Sequence, residues 1–313
     1  MAHAVTSARA GHGCWLAITA AVALVVSAGA TQVFRTDVDT VFLNVTVTDG
    51  KGKPITDLTR EEFRIFEDSA VQDITVFTKE PQPIALSLLV DSSTSMEERI
   101  ATAQEGAIGF VRRLGTHDVA QVIDFNSTTA IRQPFTSDAK ALEQAIRSIR
   151  PGGSTSLYTA IYIAMSELRR VRAQAAGQIR RQAIVLLSDG EDTTSLKTYD
   201  DVAELAKESD VAIYAIGLRD KVPAADRRFS QADFALRTLS QFTGGRVFFV
   251  DDVKQLPAVY TQIADELANQ YFIGYNTKNM KLDGAWRQIA VRVARPETIV
   301  RTRTGYFGPT KAH

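Results

Sequence analysis

Ile84-Ala85-Leu86-Ser87-Leu88-Leu89-Val90-Asp91-Ser92-Ser93-Thr94-Ser95-Met96 is an apolar run that ends in a carboxylate and a cluster of hydroxyls. Its first part, Ile84 to Val90, is almost continuously apolar, the pattern of a strand covered on both faces inside a parallel sheet. Helical periodicity resumes directly after it, with Glu97 and Glu98 suited to the first turn of a helix. The strand thus carries Asp91, Ser93 and Ser95 to its carboxyl end just ahead of a helix. In open α/β sheets that is where ligands bind.

Outward from this stretch, strands and helices alternate. Further strands are predicted over Val119–Phe125, Ala130–Phe135, Ala183–Leu187, Val211–Gly217 and Arg246–Val250. Helices are predicted between Met96 and Leu114, Asp138 and Ile149, Leu157 and Arg172, Asp201 and Glu208, Gln231 and Phe242, and Val253 and Ala268. The alternation predicts an α/β fold: a doubly wound, mostly parallel sheet with helices on both faces. The short Asn126-Ser127-Thr128-Thr129 link leaves no room for a crossover helix, so one edge strand is expected to be antiparallel.

Both flanks read as β. Val41 to Thr48 alternates, Asp49 to Pro54 is a turn, Leu58 to Phe63 forms a helical turn, and strands follow at Phe63–Glu67 and Asp73–Lys79. Beyond the helices come Tyr271–Tyr275, Ile289–Ala294 and Ile299–Thr304, with turns at Asp283-Gly284 and Arg295-Pro296. Neither flank has the roughly 100 residues of a free-standing sandwich. The expectation is that they meet in one small β-sandwich-like domain, with the α/β domain inserted into it. The expected division is 1–30 export signal, 31–83 β segment, 84–268 α/β domain, and 269–313 β segment completing the flanking domain.

The chain has 313 residues, room for one large domain or two. Lys+Arg and Asp+Glu both count 36, so the basic excess of a nucleic-acid binder is missing. At the amino end, Arg9 supplies charge, Trp15 to Val26 is apolar, and Ala28-Gly29-Ala30 is a cleavage pattern, which predicts export with a mature start at Thr31. The apolar run is shorter than the ~20 residues of a spanning helix; an uncleaved membrane tether is the alternative. The one cysteine, Cys14, precedes the apolar run, so the mature chain would have none and could form no disulfide. The sequons at Asn44 and Asn126 reflect strand and loop composition.

Three stretches carry chemistry, each ending a strand or opening a helix: Asp91-x-Ser93-x-Ser95, Gly152-Gly153-Ser154-Thr155-Ser156, and Ser188-Asp189-Gly190-Glu191-Asp192. Brought together they form an all-oxygen donor set without imidazole or thiolate. That disfavours zinc and copper and suits a hard cation, Mg²⁺ first, with Mn²⁺ or Ca²⁺ possible. Only Asp91 and Asp189 are acidic; with either one behind a water, a bound divalent ion would keep net positive character and recruit an outside Asp or Glu carboxylate.

Together the three stretches resemble a von Willebrand factor type A domain with its metal-ion-dependent adhesion site, over about residues 84 to 268 and in the family's order. The flanks resemble those of exported bacterial members, with Glu62-Phe63 and Gly305-Tyr306 at the corresponding places. The resemblance implies Asp91, Ser93 and Ser95 as ligands from the first loop, Thr155 from the second and Asp189 from the third. Ser154 intervenes after the paired glycines and is the alternative to Thr155. It also implies a switch in which the metal trades direct contact with Asp189 for Thr155 and an external acid.

An enzyme is not expected. The mature chain would keep only His117 and His313, and no G-x-S-x-G, P-loop lysine or strand–G-x-G-x-x-G–helix occurs. The expected function is divalent-cation-dependent protein–protein binding or adhesion by an exported, periplasmic or extracellular protein; the alternative is an envelope scaffold with a structural metal site. No small-molecule substrate is expected. Simpler roles are expected for the remaining polar groups. Ser95 could cap the next helix, Glu191 and Asp192 belong to a turn, and Asp124 to the hairpin. Arg112-Arg113, Arg169-Arg170 and Arg180-Arg181 form solvated faces, and Tyr158 and Tyr162 pack.

Overall fold

A computed structural model describes residues 40–174, 181–219 and 230–311. The export segment predicted over 1–30 lies outside them. In chain order the first flank gives β1 (Thr40–Thr48), β2 (Phe63–Glu67), β3 (Ala70–Gln72) and β4 (Ile74–Thr78). The α/β part runs β5 (Ile84–Asp91), α1 (Ile100–Val111), β6 (Val119–Phe125), β7 (Thr129–Thr136), α2 (Ala139–Ser148), α3 (Leu157–Gln174), β8 (Arg181–Ser188), α4 (Tyr199–Glu208), β9 (Val211–Leu218), α5 (Gln231–Thr243), β10 (Arg246–Val250) and α6 (Leu256–Ala268). The second flank gives β11 (Tyr271–Asn276), β12 (Trp286–Val293), β13 (Ile299–Arg301) and β14 (Gly305–Phe307).

The central sheet has the order β10-β9-β8-β5-β6-β7, parallel except for the β6–β7 hairpin. Every residue of β5, β8 and β9 is buried. Period-two alternation divides them between two cores. Leu86, Leu88 and Val90 face α1, α2 and α6, while Ala85 and Leu89 face α3, α4 and α5. The sheet is therefore doubly wound, and its continuous apolar strands follow from burial on both sides. The chain leaves β5 toward β6 on one side and later returns to β8 on the other. The loops at the carboxyl ends of β5 and β8 part at this switch point and leave a crevice.

The flanking strands pair across the whole chain. β1 lies between β13 and β11, which pairs β4 at its other edge; β2 lies between β3 and β12, which pairs β14. Val41, Leu43, Val45, Phe63, Ile65, Tyr271, Ile273, Tyr275 and Ile289 form their shared core. Inside it, Glu67 accepts hydrogen bonds from the Tyr275, Thr277 and Tyr306 hydroxyls at 2.8, 2.6 and 2.9 Å. Arg301 of β13 reaches across to the α/β part, where it shares the fully buried Glu266 of α6 with Arg246 of β10. Arg303 adds an ion pair to Asp210.

Three sequence expectations need correction, and one short strand is new. Glu97 and Glu98 do not form a helix's first turn: Thr94–Met96 is a 3₁₀ turn, tied down by the Thr94 N–H on the Gly153 carbonyl, and α1, within its predicted limits, starts only at Ile100. The strand predicted over Ile299–Thr304 divides, because the Thr304 N–H is bonded to the Phe242 carbonyl and the chain passes from the β1 edge to the β12 edge. The short strand β3 follows a turn at Asp68 and Ser69, whose positive φ values of 47° and 70° occur without a glycine to announce them. Arg181 is not solvated. It is 7% exposed and donates to the carbonyls of Gln82 and Leu267 and to Gln270.

Gly244 closes α5 in the left-handed region at φ 76°, and an added Cβ would lie 2.4 Å from the Thr302 carbonyl carbon. Gly244→Ala combines left-handed strain with a backbone clash and is expected to cost about 3 kcal/mol of stability, read by urea unfolding.

Candidate metal centre

The crevice at the carboxyl end of the sheet is built from three loops. The first leaves β5, whose last residue, Asp91, has no solvent exposure. Its Oδ1 accepts the Ser93 N–H at 2.9 Å and its Oδ2 accepts the Ser188 hydroxyl at 2.6 Å. Each oxygen is thereby oriented by a neighbouring chain segment. Ser93 and Ser95 hydroxyls lie 3.0 Å apart, and the Ser95 hydroxyl donates to Asp189 Oδ1 at 2.7 Å. Ser93, by its N–H on one side and its hydroxyl on the other, and Ser95 thus link Asp91 to Asp189.

The second loop precedes α3. Gly153 has φ 83°, and a Cβ there would sit 2.5 Å from Ser127 Oγ. Glycine lets the backbone pass the β6–β7 hairpin and present its carbonyl to the Thr94 N–H and hydroxyl, both at 3.0 Å. Ser154 is exposed and gives its N–H to Ser127 Oγ, whereas Thr155 is buried at 5% exposure. A Cβ added to Gly190 would lie 3.6 Å from Thr155 Oγ1, so that hydroxyl faces the third loop. The Thr155 carbonyl accepts the N–H groups of Thr193 and Thr194, and its own N–H reaches Thr193 Oγ1 at 3.0 Å.

The third loop follows β8. Asp192 Oδ1 accepts the Tyr158 N–H at 3.2 Å and also the Ser195 hydroxyl, so this carboxylate fastens the loop to the first turn of α3. Asp189 turns the other way, into the crevice, with its side chain only 1% exposed. Its second oxygen accepts Arg99 Nη1 at 2.8 Å. All five predicted positions thus converge: Asp91, Ser93, Ser95 and Asp189 by direct contact, and Thr155 across the glycine.

A model of the von Willebrand factor type A domain matches residues 86–262. The chain belongs to that family. Among curated proteins it is similar to a UPF0353 protein of Mycolicibacterium vanbaalenii, 24% identical over 227 residues. The match spans 64% of this chain and 64% of that relative's own length. A second UPF0353 protein, of Mycolicibacterium gilvum, is 23% identical, over 66% of this chain and 65% of its own. Among solved structures, a von Willebrand factor type A protein of Catenulispora acidiphila has TM-score 0.49 at 10% identity, covering 89% of this chain and 76% of that one. BatB of Bacteroides thetaiotaomicron has TM-score 0.45 at 18% identity, covering 58% and 98%.

Within this von Willebrand factor type A domain, burial pushes the Asp91 carboxyl above its usual range. The Ser188 and Ser93 hydrogen bonds pull it down, while the nearby Asp189 charge pushes it up. Two carboxylates buried side by side repel, and a cation between them relieves that repulsion. Among the described residues no group of three or more His, Cys, Asp and Glu is placed to hold a metal. A centre here would rest on two carboxylates and hydroxyls, a donor set that fits a hard cation.

Several surrounding residues have other work. Ser95 caps nothing: α1 starts after Arg99, without a side-chain cap. Asp124, 2% exposed, receives two hydrogen bonds from Arg132 at 2.7 and 2.9 Å and belongs to the hairpin. Tyr158 packs edge-on to Tyr199. His117 lines a cavity beside Ile84 and Arg181, at the amino ends of the strands and away from Asp91. Arg99 and Ser188 were not singled out from sequence. Arg99 lies four residues beyond Ser95, a spacing that returns a side chain to the same face of a helical turn, and that was the available signal.

Asp192→Ala removes the anchor at the start of α3. It is expected to lower stability by about 1 kcal/mol in denaturant titration, as for loss of a helix cap.

Proposed function

We propose that this protein captures partner proteins through a divalent cation held by Asp91, Ser93, Ser95, Thr155 and Asp189, with Mg²⁺ as the preferred ion and Mn²⁺ or Ca²⁺ as substitutes. The observation that carries this reading is the set of hydrogen bonds through Ser93 and Ser95 that links the buried Asp91 to the covered Asp189 carboxylate at the topological switch point. Bound there, such a cation supplies a Lewis-acidic position for one anionic oxygen of a partner's Asp or Glu. Ser188 and the Ser93 backbone orient Asp91, the Gly153 turn brings up the second loop, and Thr193 fixes the backbone of Thr155. Domains of this family generally mediate protein–protein interactions, which agrees with this reading.

We read it as a binding protein: among the described residues no general base is placed beside the carboxylates, and His117 lies at the other end of the sheet. We place it outside the cytoplasm on the strength of the apolar segment and Ala28-Gly29-Ala30 pattern. Among the described residues no helix is long and apolar enough to cross a membrane. We read the paired flanking strands as one small β domain that receives residues 84–268 as an insert, supported by the β1–β11 and β2–β12 ladders.

Asp91→Ala is expected to abolish Mg²⁺ binding in calorimetry and EDTA-sensitive capture of envelope proteins, with thermal unfolding little changed. Capture that survives both EDTA and the substitution would overturn the proposal. Loss of capture together with collapse of thermal stability would point instead to a structural metal in a scaffold.

A further inference from the structure

The connection between β11 and β12 turns its apolar side chains outward. Met280 is 60% exposed and Leu282 50%. Phe307 of β14 is exposed beside them, edge-on to the half-buried Trp286 with ring centroids 5.1 Å apart. The exposed Val71 of β3 is linked to the same connection, its carbonyl accepting Lys278 Nζ at 3.0 Å. A large apolar side chain standing alone on a surface is ordinary, but four on adjoining turns form a patch.

The connection is held in that posture. Arg287, buried beside Glu67, donates to the Asn279 carbonyl at 2.9 Å and to the Lys281 carbonyl at 2.6 Å. The carbonyls on both sides of Met280 thus face inward. Further on, the Gly284 N–H meets the Pro309 carbonyl at 3.1 Å and the Gly308 N–H meets the Ala285 carbonyl at 2.9 Å, which ties the connection to the chain just after Phe307. A buried guanidinium is costly unless its partners are in place, and this one is engaged in fixing a surface turn. A link that only joined β11 to β12 would need no such anchor and could carry polar side chains.

The chain enters the fold at the same end. Thr40, the first residue of β1, pairs with Asn276, the last of β11, and its hydroxyl meets the Asn276 side chain at 2.8 Å. Met280 is four residues beyond Asn276, at most about 14 Å of chain. The apolar export run ends at Val26, so residues 27–39 join it to Thr40 over at most about 45 Å. On the export reading, the end of the fold that bears the patch is the end delivered beside the bilayer.

We propose that this end of the flanking strands docks on a lipid bilayer, with Met280, Leu282 and Phe307 entering the acyl boundary and Trp286 lying at headgroup level. The inference rests on the export reading above and not on the metal. It gives the exported chain a reversible hold on the membrane surface that does not depend on keeping the leader.

The test uses the full chain carrying Trp15→Phe, which leaves Trp286 as its one tryptophan, and phosphatidylcholine vesicles brominated on their acyl chains. Trp286 emission is expected to move to the blue and to be quenched by the vesicles. Met280→Ser combined with Leu282→Ser should raise the lipid concentration for half-maximal quenching roughly tenfold, with the far-UV circular dichroism unchanged. Trp286 that stays unquenched in the folded, exported chain overturns the inference and leaves the export reading standing. Retention of the chain in the cytoplasm of its own cells overturns both. A blue shift that needs no lipid and grows with protein concentration also overturns it, and marks the patch as a contact between two copies. If the double variant fails to fold, Leu282→Ser alone carries the comparison.

Discussion

A carboxylate with no solvent exposure at the end of the central strand is the constraint around which this protein is arranged. Asp91 is held there by a backbone N–H from its own loop and by a hydroxyl from the adjacent strand. Burying it demands both of those donors, and the hydroxyl is in place only when β8 lies beside β5 in register. The register is set by the apolar sides of the same strands, divided between two helix layers. Core packing and site chemistry are therefore enforced by one ladder. The second buried carboxylate, Asp189, follows from the same ladder, one residue beyond the end of β8.

Much of this was legible in the residues because the signals were local. β5, β6 and β10 are continuous or alternating apolar runs with clear ends, and β6 and β10 fall on their predicted limits. The three polar loops announced themselves by composition, since hydroxyls and carboxylates after buried strands are conspicuous. What escaped detection depended on distant partners. Arg181 looks like half of a basic surface pair, yet it satisfies carbonyls from Gln82 and Leu267, a pairing invisible to any local window. The start of α1 is delayed by a carbonyl from Gly153, well along the chain. Arg99 reads as an ordinary helix-start residue until Asp189 is seen beside it.

The flanking sheets obey the same economy of buried charge. Glu266 has no exposure and is answered by two arginines, Arg246 from the central sheet and Arg301 from β13. Glu67 is enclosed by three hydroxyls, with Arg287 nearby. Such groups are costly if any partner is missing, so they favour a single arrangement of strands over near alternatives of similar apolar content. The apolar core supplies the drive to collapse, and these acids discriminate among the ways of collapsing.

The pairing of β1 with β11 also bears on how the chain is made. The Thr40 hydroxyl meets Asn276 across 236 residues, so the first strand emerges from synthesis long before its neighbour exists. Contacts of such sequence separation form slowly, and an unpaired strand edge is prone to wrong association in the meantime. The α/β segment between them, with its local strand–helix–strand units, can assemble first and bring β11 to within reach. The early strand must then be kept apart from other chains throughout that interval, which makes the protein's yield more sensitive to the pace of its production than its final stability would indicate.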